Sequence, residues 1–454
     1  MALWAAVSLT CIQVGWGQTF DLINGPEGPL YEPILGSPVL HNARALSLGG
    51  AYSVLVNDAS ALWYNPGSLG RLELTELQAE LVYDEVTGHS LALTGTPEAP
   101  PPTVSPMESS LARTRIGSVY LAFPLSNTSS WTLGLGTAMT HRLDRAVSAD
   151  LTYAPGDFID TLDADPNSFV AEQIEHYTYA DDQRGAIWGW QFGVGGRISP
   201  SVMIGASGVY YDGYLEFNNR TSFSGTRFED TISATPGFPV RWDITTTTTE
   251  DLHGWGANAG LFIRVLNNFG LSGVVRSPVT YTVYSDQLIT EQRDEGVTVE
   301  TFPVGTMRKI KTPLSASAGV AFRSRGLALA AEGTYTDWSQ SEYKDSPWIS
   351  QYNDLLRITY REELALGLGA EWSPSQGPLS FRAGVRQAYL PYSEYYTVND
   401  RRTYSGGVGF LIDRVVHLDV GASLENWRGR NPLYGFDEEY DQVRVIVTTS
   451  YRFE

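Results

Sequence analysis

One feature governs what this chain can fold into. From Leu74 to its last residues, apolar and polar positions alternate with the two-residue period of a strand. In "DQVRVIVTTSYRF", Val443, Val445, Val447, Thr449, Tyr451 and Phe453 share one face, and Arg444, Ile446, Thr448, Ser450 and Arg452 the other. "VVHLDVGASLEN", "LALGLGAEW" and "LSFRAGVRQ" repeat the pattern, and the second face is often Gly, Ser or Arg. A soluble sandwich needs apolar faces that pack on a second sheet. Apolar faces recurring strand after strand, backed by small and polar residues, are what a barrel with a lipid-facing outside and a polar inside requires.

About fourteen such segments lie near 74–84, 115–125, 131–141, 187–199, 201–216, 254–266, 269–287, 312–323, 327–338, 359–373, 379–389, 403–413, 415–426 and 441–453. Their connections alternate between short ("SNTSS", "SPS", "NN", "SRG", "SPSQGP", "DR") and long (85–114, 142–186, 217–253, 288–311, 339–358, 390–402, 427–440). Outer-membrane barrels have short periplasmic turns and long extracellular loops. The expected fold is therefore all-β: a transmembrane antiparallel barrel of about 14 strands over residues 73–454, in the outer membrane of a Gram-negative-type bacterium. A mean hydropathy of −0.17 is no objection, because alternating faces average to neutral. No apolar run reaches the length of a membrane helix.

Residues 1–17, "MALWAAVSLTCIQVGWG", have the apolar core and small residues of a signal peptide, though not its basic start. They contain the single cysteine, Cys11, so the mature chain would hold neither a disulfide nor a thiolate metal site. The net charge of −20 excludes a nucleic-acid binder. The six histidines are scattered without metal-ligand spacing, and no cofactor motif is present. His417, Asp419 and Ser423 share a face, but same-face neighbours in a strand lie roughly 7 Å apart, too far for a Ser–His pair. They read as a lumen network rather than a barrel lipase, so no enzyme is expected.

Residues 18–72 lack alternation and are rich in proline. They contain Gly49-Gly50-Ala51, Asn57-Asp58-Ala59 and Asn65-Pro66-Gly67. This ordered set, with "FGLSGVVRSPVTY", "TPLSASAGVAFRS" and "LALAAEGTYTDWS" further along, resembles the FadL family of outer-membrane transporters of long-chain fatty acids and other hydrophobic compounds. The third motif departs, with Gly67 where the family has Ala. The resemblance implies that residues 18–72 form a hatch in the lumen, with Gly49, Gly50, Asn57, Asp58, Asn65, Pro66 and Gly67 in its turns. It implies passive uptake by a monomer and lateral exit of the cargo into the outer-membrane lipid. It also implies a kink in the third strand, for which Gly134 and Gly136 are the candidates, although such glycines could equally make room for the hatch. A capture site between the third and fourth long loops would draw on Phe223, Phe228, Phe238 and Phe302, unless these merely pack the loops.

Inward arginines at Arg264, Arg323, Arg382, Arg386 and Arg444 are candidates to hold a cargo carboxylate, or else to pair with lumen acids such as Glu371 and Asp419. Tyr451 and Phe453 supply the terminal aromatic signal read by the barrel assembly machinery. The alternative function is a non-transporting barrel that serves as a partner in protein secretion or surface assembly.

Overall fold

The computed structural model describes residues 37–453 apart from 93–101, 127–129, 154–158, 162–169, 230–237, 294–295, 302–305, 346–348, 375–376, 392–396, 413–414 and 432–435. The proposed signal peptide lies outside the described residues.

Fourteen antiparallel strands close into a barrel. In chain order they are β1 (Thr75–Ala92), β2 (Glu108–Pro124), β3 (Trp131–Arg142), β4 (Val170–Ser199), β5 (Val202–Glu229), β6 (Phe238–Leu266) and β7 (Phe269–Arg276, resumed at Thr280–Arg293). They continue with β8 (Ser315–Ser324, preceded by Thr306–Lys311), β9 (Leu327–Asp337), β10 (Glu362–Trp372), β11 (Leu379–Ala388), β12 (Thr397–Ile412), β13 (Val416–Asn431) and β14 (Phe436–Phe453). The barrel closes where β1 meets β14, from Thr75↔Phe453 to Ala92↔Phe436. Tyr451 and Phe453 sit at this seam on the outer face, ring centroids 4.8 Å apart.

The alternation read from the sequence is the alternation of the wall. On β14, Arg444, Ile446, Thr448 and Ser450 are buried inside, while Val443 and Tyr451 are exposed outside. The outer face carries a belt of Leu, Val, Ile and Phe, edged by Trp190, Trp255 and Tyr284 at one rim and by Trp372, Phe381 and Phe453 at the other. An apolar band between aromatic girdles is the surface of an outer-membrane β-barrel.

Much of what the sequence reading assigns to long loops is strand. β4, β5 and β6 run for 30, 28 and 29 residues, whereas about 9–11 suffice to cross a membrane. β5 and β6 stay paired from Ile263↔Val202 out to Phe238↔Arg227, through the stretch expected as loop 217–253. Beyond the bilayer the outward face has no lipid to meet. Thr, Asn and Asp then replace Leu and Val there, and the apolar signal fades while the ladder continues. Inward from these extensions, Val147, Leu151, Tyr177, Tyr179, Trp242 and Phe436 form a separate small core. Residues 339–358 likewise include the start of a helix, α3 (Ile349–Thr359).

Residues 37–72 lie inside the barrel. A two-residue strand, Ser37–Pro38, is followed by helices α1 (Ala43–Ser47) and α2 (Ala61–Tyr64) and a 3₁₀ turn (Pro66–Arg71) that leads into β1. Leu46, Leu48, Tyr52, Leu55, Leu62 and Leu69 are fully buried. The wall meets this segment with carboxylates aimed at its free amides. Glu332 accepts from Tyr52 N (2.9 Å) and Ser53 N (2.8 Å), Glu76 from Ala59 N (3.1 Å), and Glu80 from Asn42 N. Such charge-assisted bonds are the strong ones.

Glycine explains how close the two layers come. Gly384 on β11 faces Gly49, where an added Cβ would lie 2.2 Å from the Gly49 nitrogen. Gly49 and Gly50 themselves take φ of 62° and 80°, which only glycine adopts freely.

Candidate functional site

The inner motifs have defined local roles. Asn65 Oδ1 accepts from Gly67 N (3.1 Å), while its Nδ2 donates to Ser53 O (3.2 Å) and to Leu261 O of β6 (3.0 Å). A Cβ at residue 67 would lie 2.8 Å from Gly260 O, so glycine rather than alanine fits behind Pro66. Asn57 Oδ1 accepts from Arg44 Nη1 (2.6 Å), and Asp58 accepts from the Tyr52 hydroxyl and from Ser60 N (3.0 Å).

On the extracellular side of this segment is a cavity of about 180 Å³. Trp63, Tyr64, Tyr211, Tyr281 and Val279 form its apolar walls, and Arg276 and Arg386 are its cations. Glu332 and Glu363 also line it, but both are engaged: Glu332 as above, and Glu363 by Trp338 Nε1 (2.8 Å). Arg276 is held loosely. It donates to Ser317 Oγ at 3.4 Å and Trp63 O at 3.5 Å, its guanidinium lies 5.3 Å from the Trp63 ring centroid, and its Nε has no partner among the described residues. His41 packs nearby against Trp63, Tyr64 and Tyr120, at 5.0–5.9 Å between ring centroids. Burial, reinforced by the charges of Arg276 and Arg444, pushes its pKa down to about 3.

The cavity reaches the wall at Thr140 and His141, where the wall is interrupted. β2 and β3 pair from Pro124↔Thr132 to Ser118↔Ala138. At Gly117 β2 bulges and from there keeps only its pairing to β1 among the described residues. β3 turns inward past Ala138, with a register irregularity against β4 between Met139 and His141. Its freed edge is taken by the inner segment: Ser37 and Pro38 pair with Arg142 and His141, and Val39 N donates to Thr140 O (3.0 Å). The wall resumes at Arg145–Thr152, which pairs with β4. Across the gap, backbone pairing among the described residues is confined to Thr103–Ser105 with Asp150–Thr152, and side chains bridge the rest. Arg115 on β2 pairs with Asp144, Arg113 lies 3.9 Å from the same carboxylate, and Ser109 Oγ and Ser148 Oγ are 2.7 Å apart. The other Asp144 oxygen accepts from Gly185 N (3.2 Å).

The sequence candidates fall unevenly on this geometry. Gly134 and Gly136 sit within unbroken pairing on both sides, and the interruption begins a few residues later. A Cβ at Gly134 would touch Leu62 and Leu69 of the inner segment (3.2 and 3.5 Å), so this glycine makes room for that segment. Of the arginines, Arg386 lines the cavity and makes no hydrogen bond or ion pair among the described residues. Arg382 is clamped between Glu371 (2.7 Å) and Asp419 (2.6 Å) in a second, polar cavity of about 220 Å³ toward the periplasm, which His417 also lines. Arg444 pairs with Asp84. Arg264 and Arg323 lie at the exposed periplasmic ends of their strands.

Phe223 is half-buried and packs on Tyr177 (4.6 Å) and Trp242 (5.0 Å) against the extracellular core. The backbones of Phe228 and Phe238 belong to β5 and β6, and Phe302 lies outside the described residues. Sequence reading did not single out Arg276, Trp63, Tyr211, Thr140, His141 or Asp144. Arg276 shared the inward parity of Ser272 and Val274 and preceded a Ser-Pro break, which was the available signal.

Closed strands, an apolar belt and a lumen filled by the N-terminal segment define the class: an outer-membrane β-barrel with an occupied interior. No protein-family model matches the chain, and no curated protein sequence matches it. Its fold is nevertheless that of the FadL-type channels. It is similar to a FadL homologue of Pseudomonas aeruginosa, with a TM-score of 0.60 and 13% identity over 92% of this chain and 100% of that one. It is also similar to the toluene transporter TodX of P. putida (TM-score 0.57, 15% identity, 91% and 99%) and to the toluene transporter TbuX of Ralstonia pickettii (0.53, 14%, 91% and 98%).

Proposed function

We propose that this protein is a passive channel for small hydrophobic molecules, which reach the cavity beside Trp63 and leave sideways through the gap between β2 and β3. The observation that carries the reading is continuity: Thr140 and His141 belong both to the cavity lining and to the stretch where β3 leaves β2. A hydrophobic cargo gains nothing from periplasmic water, since each methylene kept out of water is worth about 0.8 kcal/mol. A lateral route keeps it in apolar surroundings. Residues 37–72, bonded to the wall on several sides, serve as the hatch that denies water the axial route.

The size of the cavity favours a cargo, or a bound portion of one, of about a single ring, since about 150 Å³ of apolar cavity accommodates benzene. The toluene transporters of similar fold agree with that size. The loosely held Arg276 favours a second reading, a longer amphiphile whose carboxylate sits at the guanidinium.

Liposomes carrying the protein test the route. Transfer of labelled toluene and of a labelled fatty acid should both fall several-fold in His141→Trp, with heat-modifiable gel mobility unchanged. Arg276→Met should depress only the fatty acid if the second reading holds. Undiminished transfer of both cargoes in His141→Trp removes the lateral route.

A further inference from the structure

At the periplasmic mouth, identified by its two- and three-residue turns, the inward arginines divide into two groups. On one side each has an acid. Arg44 and Arg382 share Glu371, Arg382 also holds Asp419, and Arg452 pairs with Glu76. On the other side, Arg71, Arg264 and Arg323 make no ion pair among the described residues. Arg71 donates to the carbonyls of Val54 (3.2 Å) and Val56 (2.9 Å) and lies 4.9 Å from the Phe262 ring centroid. Arg323 Nη2 approaches Leu55 O at 3.4 Å. Arg264 is exposed and has no hydrogen-bond partner for its side chain among the described residues.

These three cations come from different elements: the inner segment, β6 and β8. They stand near enough to repel one another. Burial and the charges of Arg323, Arg44 and Arg264 push the Arg71 guanidinium down to about 9. The acid whose field reaches Arg323 is Glu371, already held by two other arginines. Glu73 is exposed and pairs with none of the three. Arg197 and Arg325, also exposed, extend the positive rim at the ends of β4 and β8. In a chain of net charge −20, such a concentration of unneutralised guanidinium groups is not an average property of the surface.

We propose that Arg71, Arg264 and Arg323 form an anion site at the periplasmic mouth that takes a phosphate-bearing group, either an inner-leaflet lipid headgroup or a free phosphate. Guanidinium forks match phosphate oxygens in pairs. The hatch carbonyls and Phe262 hold Arg71 in place before any anion arrives, so little side-chain freedom remains to be lost on binding. The level of the site suits a headgroup, because it lies at the periplasmic strand ends, where Val265 beside Arg264 and Phe322 beside Arg323 are exposed.

The test uses the whole protein, purified in an uncharged detergent. Native mass spectrometry after mixing with phosphatidylglycerol and phosphatidylcholine reads lipid retention. Thermal unfolding with added inorganic phosphate reads the free ion. Phosphatidylglycerol should be retained over phosphatidylcholine, and Arg264→Gln with Arg323→Gln should weaken its retention by roughly tenfold or more. Arg220→Gln with Arg402→Gln, which removes equal charge at the extracellular end, should leave it unchanged. Arg264→Lys with Arg323→Lys should fall between, because charge survives and the fork does not. Stabilisation by inorganic phosphate that the same glutamine pair abolishes assigns the site to the free ion instead. The proposal is overturned if neither ligand distinguishes wild type from the glutamine variant while gel mobility shows both folded.

Discussion

Asp144→Asn isolates what holds the gap in the barrel wall shut. The carboxylate is 3% exposed and faces Arg115, itself 16% exposed, with Arg113 at 3.9 Å. Asparagine keeps the shape and can still accept from Gly185 N, so only the charge is removed. Removing one partner of a buried pair typically costs about 3–5 kcal/mol, because the other charge is left unpaired. Arg113 is over one-third exposed and contributes little. We therefore take about 3 kcal/mol, at the low end. That energy does not threaten the barrel, whose ladder is continuous on both sides of the gap, but it bears directly on local opening. If opening is a minor excursion in the wild type, 3 kcal/mol raises its population by a factor of order one hundred. Two measurements should move together: amide exchange at Leu143 and Gly185 should accelerate by that order, and efflux of a hydrophobic dye from loaded liposomes should quicken. Arg115→Met should do the same. Unchanged exchange at both amides in Asp144→Asn would refute the reasoning, since the ion pair would then carry no share of the closure.

Two further outcomes follow from the inner segment. Glu332→Gln replaces two charge-assisted bonds, to Tyr52 N and Ser53 N, with neutral ones of about half the strength. This should destabilise the local docking by about 1–3 kcal/mol, seen as faster exchange of those amides and more frequent conductance steps in planar bilayers. His41 is held neutral, with a pKa near 3 against about 6.5 when unfolded. Its contribution is therefore intact above about pH 6.5 and is lost as pH falls toward 3, at about 1.4 kcal/mol per unit. Between pH 7 and 5 the opening free energy of amides in residues 42–48 should drop by about 2 kcal/mol, and His41→Phe should remove that dependence.

Strand number, order and facing were legible because each membrane-crossing strand meets lipid on one side. Val443, Leu424 and Phe381 could not face a wet lumen, and Arg444 could not face lipid. The extensions of β4–β6 were illegible as strand because that contrast ends where the bilayer ends, although the run Thr245–Thr249 is β-branched throughout. Gly134 and Gly136 suggested the kink because paired glycines permit bends. In the structure, room for Leu62 and Leu69 accounts for Gly134, and the bend is made where Ser37–Pro38 offers β3 a substitute partner. That exchange depends on residues a hundred positions apart, which no local pattern records. The same applies to Asp144 and Arg115, whose pairing requires the gap itself.

The contact between Gly384 and Gly49 also bears on how such a molecule is made. Wall and interior meet backbone to backbone here, as they do at Gly205 beside Pro66 and Gly421 beside Ala43, with no space for even a methyl group. A piece fitted that tightly cannot be slid along the axis of a finished cylinder. It must already lie in place when β14 zips to β1, and it is tethered to β1 by only three residues, Leu72 to Leu74. The order of synthesis, interior first and closing strand last, is thus the order in which the walls can be built around their contents.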